Sequence, residues 1–177
     1  MLPRLLLALL LLTPVLTAQR DGSYLSEAEV DQLRDAAYTP NERVLVFVKF
    51  LDERSEKIQK LSAGPRRAGR EEDIHNLLEQ FTSIVNELED NLDEYGPAHR
   101  DIRKSLPKLL TAIDRWATVI RTPPDNQAYN VSRKLALESL GDLHEDAAQL
   151  TEEQKAWFLA HPPAKEDKEK KSSAEGP

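Results

Sequence analysis

Apolar residues along most of this chain recur at spacings of three, four and seven, the period of one face of an α-helix. The stretch Thr39 to Leu51, "TPNERVLVFVKFL", is the one place where that pattern competes with another. Its second half has the β-branched and aromatic content of a buried strand. Its first half reads as a helix start, with Thr39 as N-cap, Pro40 at the first helical position and Glu42 closing a capping box. Val44, Phe47, Val48, Leu51 and Ile58 share one helical face, and no second strand-like run exists to pair with a strand here. The spacing therefore predicts a helix from about Pro40 to Leu61.

The same reasoning assigns the rest. Ser26 and Glu29 form a capping box for a short helix with Val30, Leu33 and Ala37 on one face. "SAGPRRAGR" is a breaker-rich loop. Ile74, Leu77, Leu78, Phe81, Val85, Leu88 and Leu92 define a helix from about Glu71 to Tyr95, stopped by Gly96-Pro97. Ile102, Leu106, Leu109, Ile113, Trp116 and Ile120 define the next, with Pro107 either kinking it or marking its start. Tyr129, Ala136, Leu140, Leu143, Ala147 and Leu150 define another from about Asp125, and Thr151 reads as the cap of a short final helix. The expected fold class is all-α: an antiparallel four-helix bundle with short N- and C-terminal helices flanking it, over residues 19–161. Residues 162–177 hold four basic and four acidic residues with nothing to bury, and are expected to be a disordered charged tail.

The second helix carries more apolar surface than one core face needs. Val46, Phe50 and Leu61 lie on a separate stripe, roughly 100° from the first. Either the short first helix covers it with Val30, Leu33 and Tyr38, or it docks a protein partner, another copy of the chain, or a ligand.

The first eighteen residues, "MLPRLLLALLLLTPVLTA", depart from the pattern altogether. A basic Arg4, a leucine run and a small residue at Ala18 are the layout of a secretory signal peptide, expected to be cut after Ala18. The product would be periplasmic or secreted. The run is too short for a transmembrane helix, and no later stretch is long and apolar enough to be one. Removing Arg4 from the 24 basic residues leaves 23 against 31 acidic, a formal charge of −8. Such a chain repels nucleic acid, which is not an expected partner. With no cysteine there is no disulfide, thiolate metal site or c-type haem attachment.

Candidate chemistry is sparse. Glu72 and His75 form one E-x-x-H, the pattern that di-iron bundles use twice, but both lie outside the apolar stripe whereas such metals sit in the bundle core. His99, His144 and His161 have no partners at ligand spacing. Arg66, Arg67 and Arg70 could grip an anion or simply solubilise a loop. Asn130-Val131-Ser132 fits the N-glycosylation pattern. No P-loop, dinucleotide fingerprint or nucleophile elbow is present. These readings assign no catalytic, cofactor-binding or metal-ligating residue and no cofactor. They favour a non-enzymatic binding or envelope-associated protein over a metal- or cofactor-carrying bundle with an enzymatic or redox role.

"LTEEQ", Leu150 to Gln154, resembles the L-T-x-x-Q motif of the periplasmic stress chaperones Spy and CpxP. The resemblance covers five residues. A second copy would be "LSEAE", Leu25 to Glu29, which departs from it at Ser26 and Glu29. The resemblance implies an exported, helical chaperone; the capping-box pattern alone also accounts for both stretches.

Overall fold

A computed structural model describes residues 24–162. The expected leader and all but the first residue of the expected tail lie outside them. Among the described residues there are five packed helices and no strand: α1 (Glu27–Asp35), α2 (Pro40–Ala63), α3 (Arg70–Tyr95), α4 (Leu106–Arg121) and α5 (Asn130–Ala160). None is long and apolar enough to cross a membrane.

Helix starts follow the local chemistry. At α1 the Ser26 hydroxyl accepts from the Glu29 N–H, and the Glu29 carboxylate accepts from the Ser26 N–H, a closed capping box. At α2 only the proline does its expected part. The Thr39 hydroxyl donates to the Glu42 carboxylate at 2.8 Å and caps no backbone N–H. Pro107 lies in the first turn of α4, so it marks a start and not a kink.

α2 packs against α3 and α4, α5 packs against the same two, and α1 packs against α2. Cross-helix contacts fix the directions. Arg43 Nε donates to Asn91 Oδ1, near the start of α2 and the end of α3, so these two run antiparallel. Asn41 bonds the Ser105 N–H, and Asp52 accepts from Trp116 Nε1 at 2.6 Å, so α2 and α4 run parallel. His75 meets Ser132 and Gly96 approaches Leu150, so α3 and α5 also run parallel. Consecutive helices thus alternate in direction, while the α2–α4 and α3–α5 seams pair helices that run the same way. The cause is the link 96–105, longer than 64–69 and 122–129, which joins the non-neighbouring α3 and α4. Phe81 and Trp116 still meet edge to face across the centre, their ring centroids 5.8 Å apart.

That long link is held from both sides. Asn41 donates to the Asp101 carbonyl at 2.6 Å, and the buried Gln154 accepts from the Ile102 N–H at 3.1 Å while donating to the Arg100 carbonyl at 2.6 Å. Gln154 lies on the inner face of an unbroken α5, which corrects the expected separate final helix. Nothing between Leu150 and Thr151 breaks the helix, and the Thr151 hydroxyl donates back to the Ala147 carbonyl.

The extra apolar stripe on α2 is not one open surface. Phe50 is fully buried, and Val46 and Leu61 are half-buried against the core. α1 docks through Leu25, Glu29, Leu33 and Ala36. Val30 is exposed and Tyr38 is 91% exposed, so two of the three expected covering residues do not cover. The buried spacing 25, 29, 33, 36 puts Glu29 on the inner face, and Val30, one residue on, turns about 100° away. Glu29 meets the buried Arg54, whose guanidinium bonds both carboxylate oxygens and the Tyr24 carbonyl.

Candidate functional site

Two surface depressions fall on the same seam, between α3 and α5. Their positions follow from helix geometry. On α3, His75, Thr82, Glu89 and Gly96 are seven residues apart, and Glu79 and Asp93 lie one turn beyond the first and third of them; all flank the buried stripe. On α5, Val131, Leu135, Asp142, Asp146, Gln149 and Glu153 form the matching strip. Because α3 and α5 run parallel, the strips stay side by side for about 30 Å.

The upper depression encloses about 350 Å³. One wall is apolar, with Val131 72% and Leu135 50% exposed; the other carries His75, Glu79, Thr82 and Ser83. His75 Nδ1 lies 2.8 Å from Ser132 Oγ, and its Nε2 lies 3.2 Å from a Glu79 oxygen. With Nε2–H donating to Glu79, Nδ1 accepts the serine proton, giving a hydroxyl–imidazole–carboxylate chain. The chain orients the ring but presents no nucleophile. Ser132 is 4% exposed, and the carbonyl of Tyr129, the N-cap of α5, lies 3.3 Å from its hydroxyl and competes with His75 for its single proton.

The lower depression, about 160 Å³, is lined by Leu92, Asp93, Gly96, Pro97, Asp146, Gln149, Leu150 and Glu153. Just above it Glu89 turns into the seam, where its Oε1 is buried without a hydrogen-bond partner. Burial, then the charges of Asp146, Asp142, Asp93 and Asp90, push its carboxyl up to about 7. The contrast with Glu29 is direct. There the hydrogen bond from Arg54 outweighs burial and, with the bonds from Ser26, holds the carboxyl down at about 2.

The residues singled out in the sequence are mostly not brought together. Glu72 points to solvent and His75 turns to Ser132, so the E-x-x-H does not converge; among the described residues no group of three or more His, Asp or Glu could hold a metal ion. Arg67, itself exposed, pairs with Asp73, while the buried Arg70 bonds the Gly64 carbonyl and Glu71, so both brace the loop. In the glycosylation pattern, Asn130 Oδ1 accepts from the Asn126 N–H and from Arg133, and Ser132 is buried. Thr151 and Gln154 of "LTEEQ" both make internal bonds. His99 and His161 each stack on Trp157, with centroids 4.2 and 4.5 Å away, while His144 is exposed. The contact between His75 and Ser132 and the burial of Glu89 have no local motif. The one available signal was a run of acidic residues beside the apolar stripe of α3.

No family model, curated protein or solved structure matches this chain.

Proposed function

We propose that this is an exported, non-enzymatic binding protein: a four-helix bundle of α2 to α5, braced by α1 and closed by a diagonal link, that receives its partner along the seam between α3 and α5. One observation carries the reading. Two depressions lie in register on that seam, and the exposed apolar side chains Val131 and Leu135 stand in the larger of these two. Grouped apolar exposure beside convergent polar groups is the usual form of a recognition site.

A photoreactive amino acid placed at Leu135 or Gln149 should crosslink a partner in its native compartment, whereas one at Lys57 or Thr118, on the other helices, should not. Equal crosslinking from all four positions, or from none, would sink the reading. Metal analysis and an absorption spectrum of the purified protein separate it from a cofactor-carrying bundle: stoichiometric metal or a chromophore would reject it. Export is tested by the mature N-terminus, expected at or next to Gln19; recovery of intact Met1 would refute the leader.

A further inference from the structure

Charge along the seam is of one sign. From Glu71 to His99, α3 and the turn after it contain no lysine or arginine, and α5 contains none from Leu135 to Gln154. Both gaps cover the part of each helix that faces the seam. Of the basic residues at their edges, Arg70 pairs with Glu71, Lys134 with Glu138 and Lys155 with Glu152, while Arg100 follows the first gap. Facing Glu89 are Asp90 and Asp93 from its own helix and Asp142 and Asp146 from α5, with no cation among them. A carboxylate oxygen buried without a donor, in such company, lacks the partner that buried charges ordinarily have. Two and three helical turns before Asp142, the same groove becomes apolar at Leu135 and Val131.

Resting on the binding function above, we infer that the occupant of the seam is a cationic segment of a partner protein, with apolar side chains against Val131 and Leu135 and a lysine or arginine over Glu89. Charge complementarity selects this class. An acidic segment would add to the repulsion, and a purely apolar one would leave the Glu89 oxygen unpaired. A guanidinium or ammonium at Glu89 also favours its charged form, so docking releases the proton this carboxyl otherwise keeps near neutrality.

The test uses the purified protein with three probes: a synthetic peptide of alternating Leu-Leu and Lys-Lys pairs, its Leu/Glu counterpart, and calcium chloride. Amide shifts from the Leu/Lys peptide should map to Glu89, Asp93, Leu135, Asp142 and Asp146. Affinity should fall about tenfold between low and moderate salt, as expected for an interaction of several exposed charges. It should rise between pH 6 and pH 8, with proton release in calorimetry. Glu89→Gln should remove the proton release while leaving the fold's spectrum intact, and Asp142→Asn with Asp146→Asn should weaken binding about tenfold. Equal binding of the Leu/Glu peptide, shifts mapping to α2 and α4, or a response to calcium alone would each overturn the inference. Crosslinks at Leu135 to a partner whose contacting segment is not basic would also overturn it, while leaving the binding function standing.

Discussion

Glu29 and Glu89 are both carried into a seam between helices, and the two seams treat them in opposite ways. Glu29 is met by Arg54 and by the Ser26 N–H and hydroxyl, and its partners hold it in the charged form. Glu89 is met by carboxylates and retains a buried oxygen with no donor. The seam between α1 and α2 is therefore charge-compensated, although it too keeps a buried group, Arg54 Nε, without a hydrogen-bond partner. The seam between α3 and α5 is closed below, by Phe81, Val85 and Leu88, but unfinished on its outer rim. A fold tolerates one such rim when its total stability comes from elsewhere, and the rim is then free to serve recognition.

The sharpest test of that difference is to truncate one apolar residue from each seam. Phe50→Ala should lower the unfolding free energy by about 3–5 kcal/mol, the cost of a lost phenyl group and the cavity it leaves. Leu135→Ala, on a half-exposed side chain, should change it by less than about 1 kcal/mol. Urea midpoints of the two variants measure this. An unchanged midpoint for Phe50→Ala would mean that Phe50 is not part of a closed interior.

Next in size is the ion pair. Arg54→Met leaves Glu29 charged and buried without its main partner, and should cost on the order of 3 kcal/mol at pH 7. The figure matches what the depression of the Glu29 carboxyl to about 2 implies through linkage. Adding Glu29→Leu to Arg54→Met should recover most of that loss, since two apolar groups leave no orphan. A double variant as unstable as the single would show that the pair serves α1 packing through shape and not through charge.

The face that α1 buries shows why some of this was legible in the sequence and some was not. Ser26 and Glu29 announce a helix start whatever surrounds them, and so do Pro40 and Pro107; Gly96-Pro97 announces an end. Periodicity names the inner face of each helix but not its neighbour. Nothing in α3 or α4 states that they sit across the core from each other, so the parallel seams were not foreseeable. Thr151 misled because the local pattern of a cap is also that of a threonine returning its hydroxyl to the preceding turn. Glu29 and Glu89 lay on the flanks of apolar stripes, where charge is ordinarily solvated. Their burial depends on which helix lies alongside, and so does the contact of His75 with Ser132, 57 residues apart.

Acidity gives the third test, with opposite signs at the two seams. Glu29 binds its proton less tightly folded than unfolded, so its contribution is present above the unfolded carboxyl pKa and is lost as pH falls from there toward about 2. Glu89 binds its proton more tightly folded, so stability declines as pH rises toward about 7 and levels beyond. Together they place the stability maximum near roughly pH 5. Glu89→Gln, a neutral stand-in for the protonated acid, should leave stability at pH 5 unchanged and raise it at pH 8 by about 1–2 kcal/mol, allowing for the side chain's partial exposure. Equal effects at both pH values would mean that the carboxyl is not held protonated by its surroundings.

The smallest effect separates the two causes acting on Glu89. Burial is the larger, and the nearby aspartates add to it, Asp146 foremost. Asp146→Asn removes one charge without opening the seam, so the Glu89 carboxyl should titrate lower than about 7 yet still above the ordinary carboxylate range. The gain in stability at pH 8 should stay below about 1 kcal/mol. Carbon-detected NMR of the glutamate side chains follows that titration directly. If the single substitution returned Glu89 to an ordinary value, charge repulsion and not burial would set its state. The rim would then differ from the Glu29 seam only in the sign of its neighbours, and one well-placed cation from a partner would be enough to make the two alike.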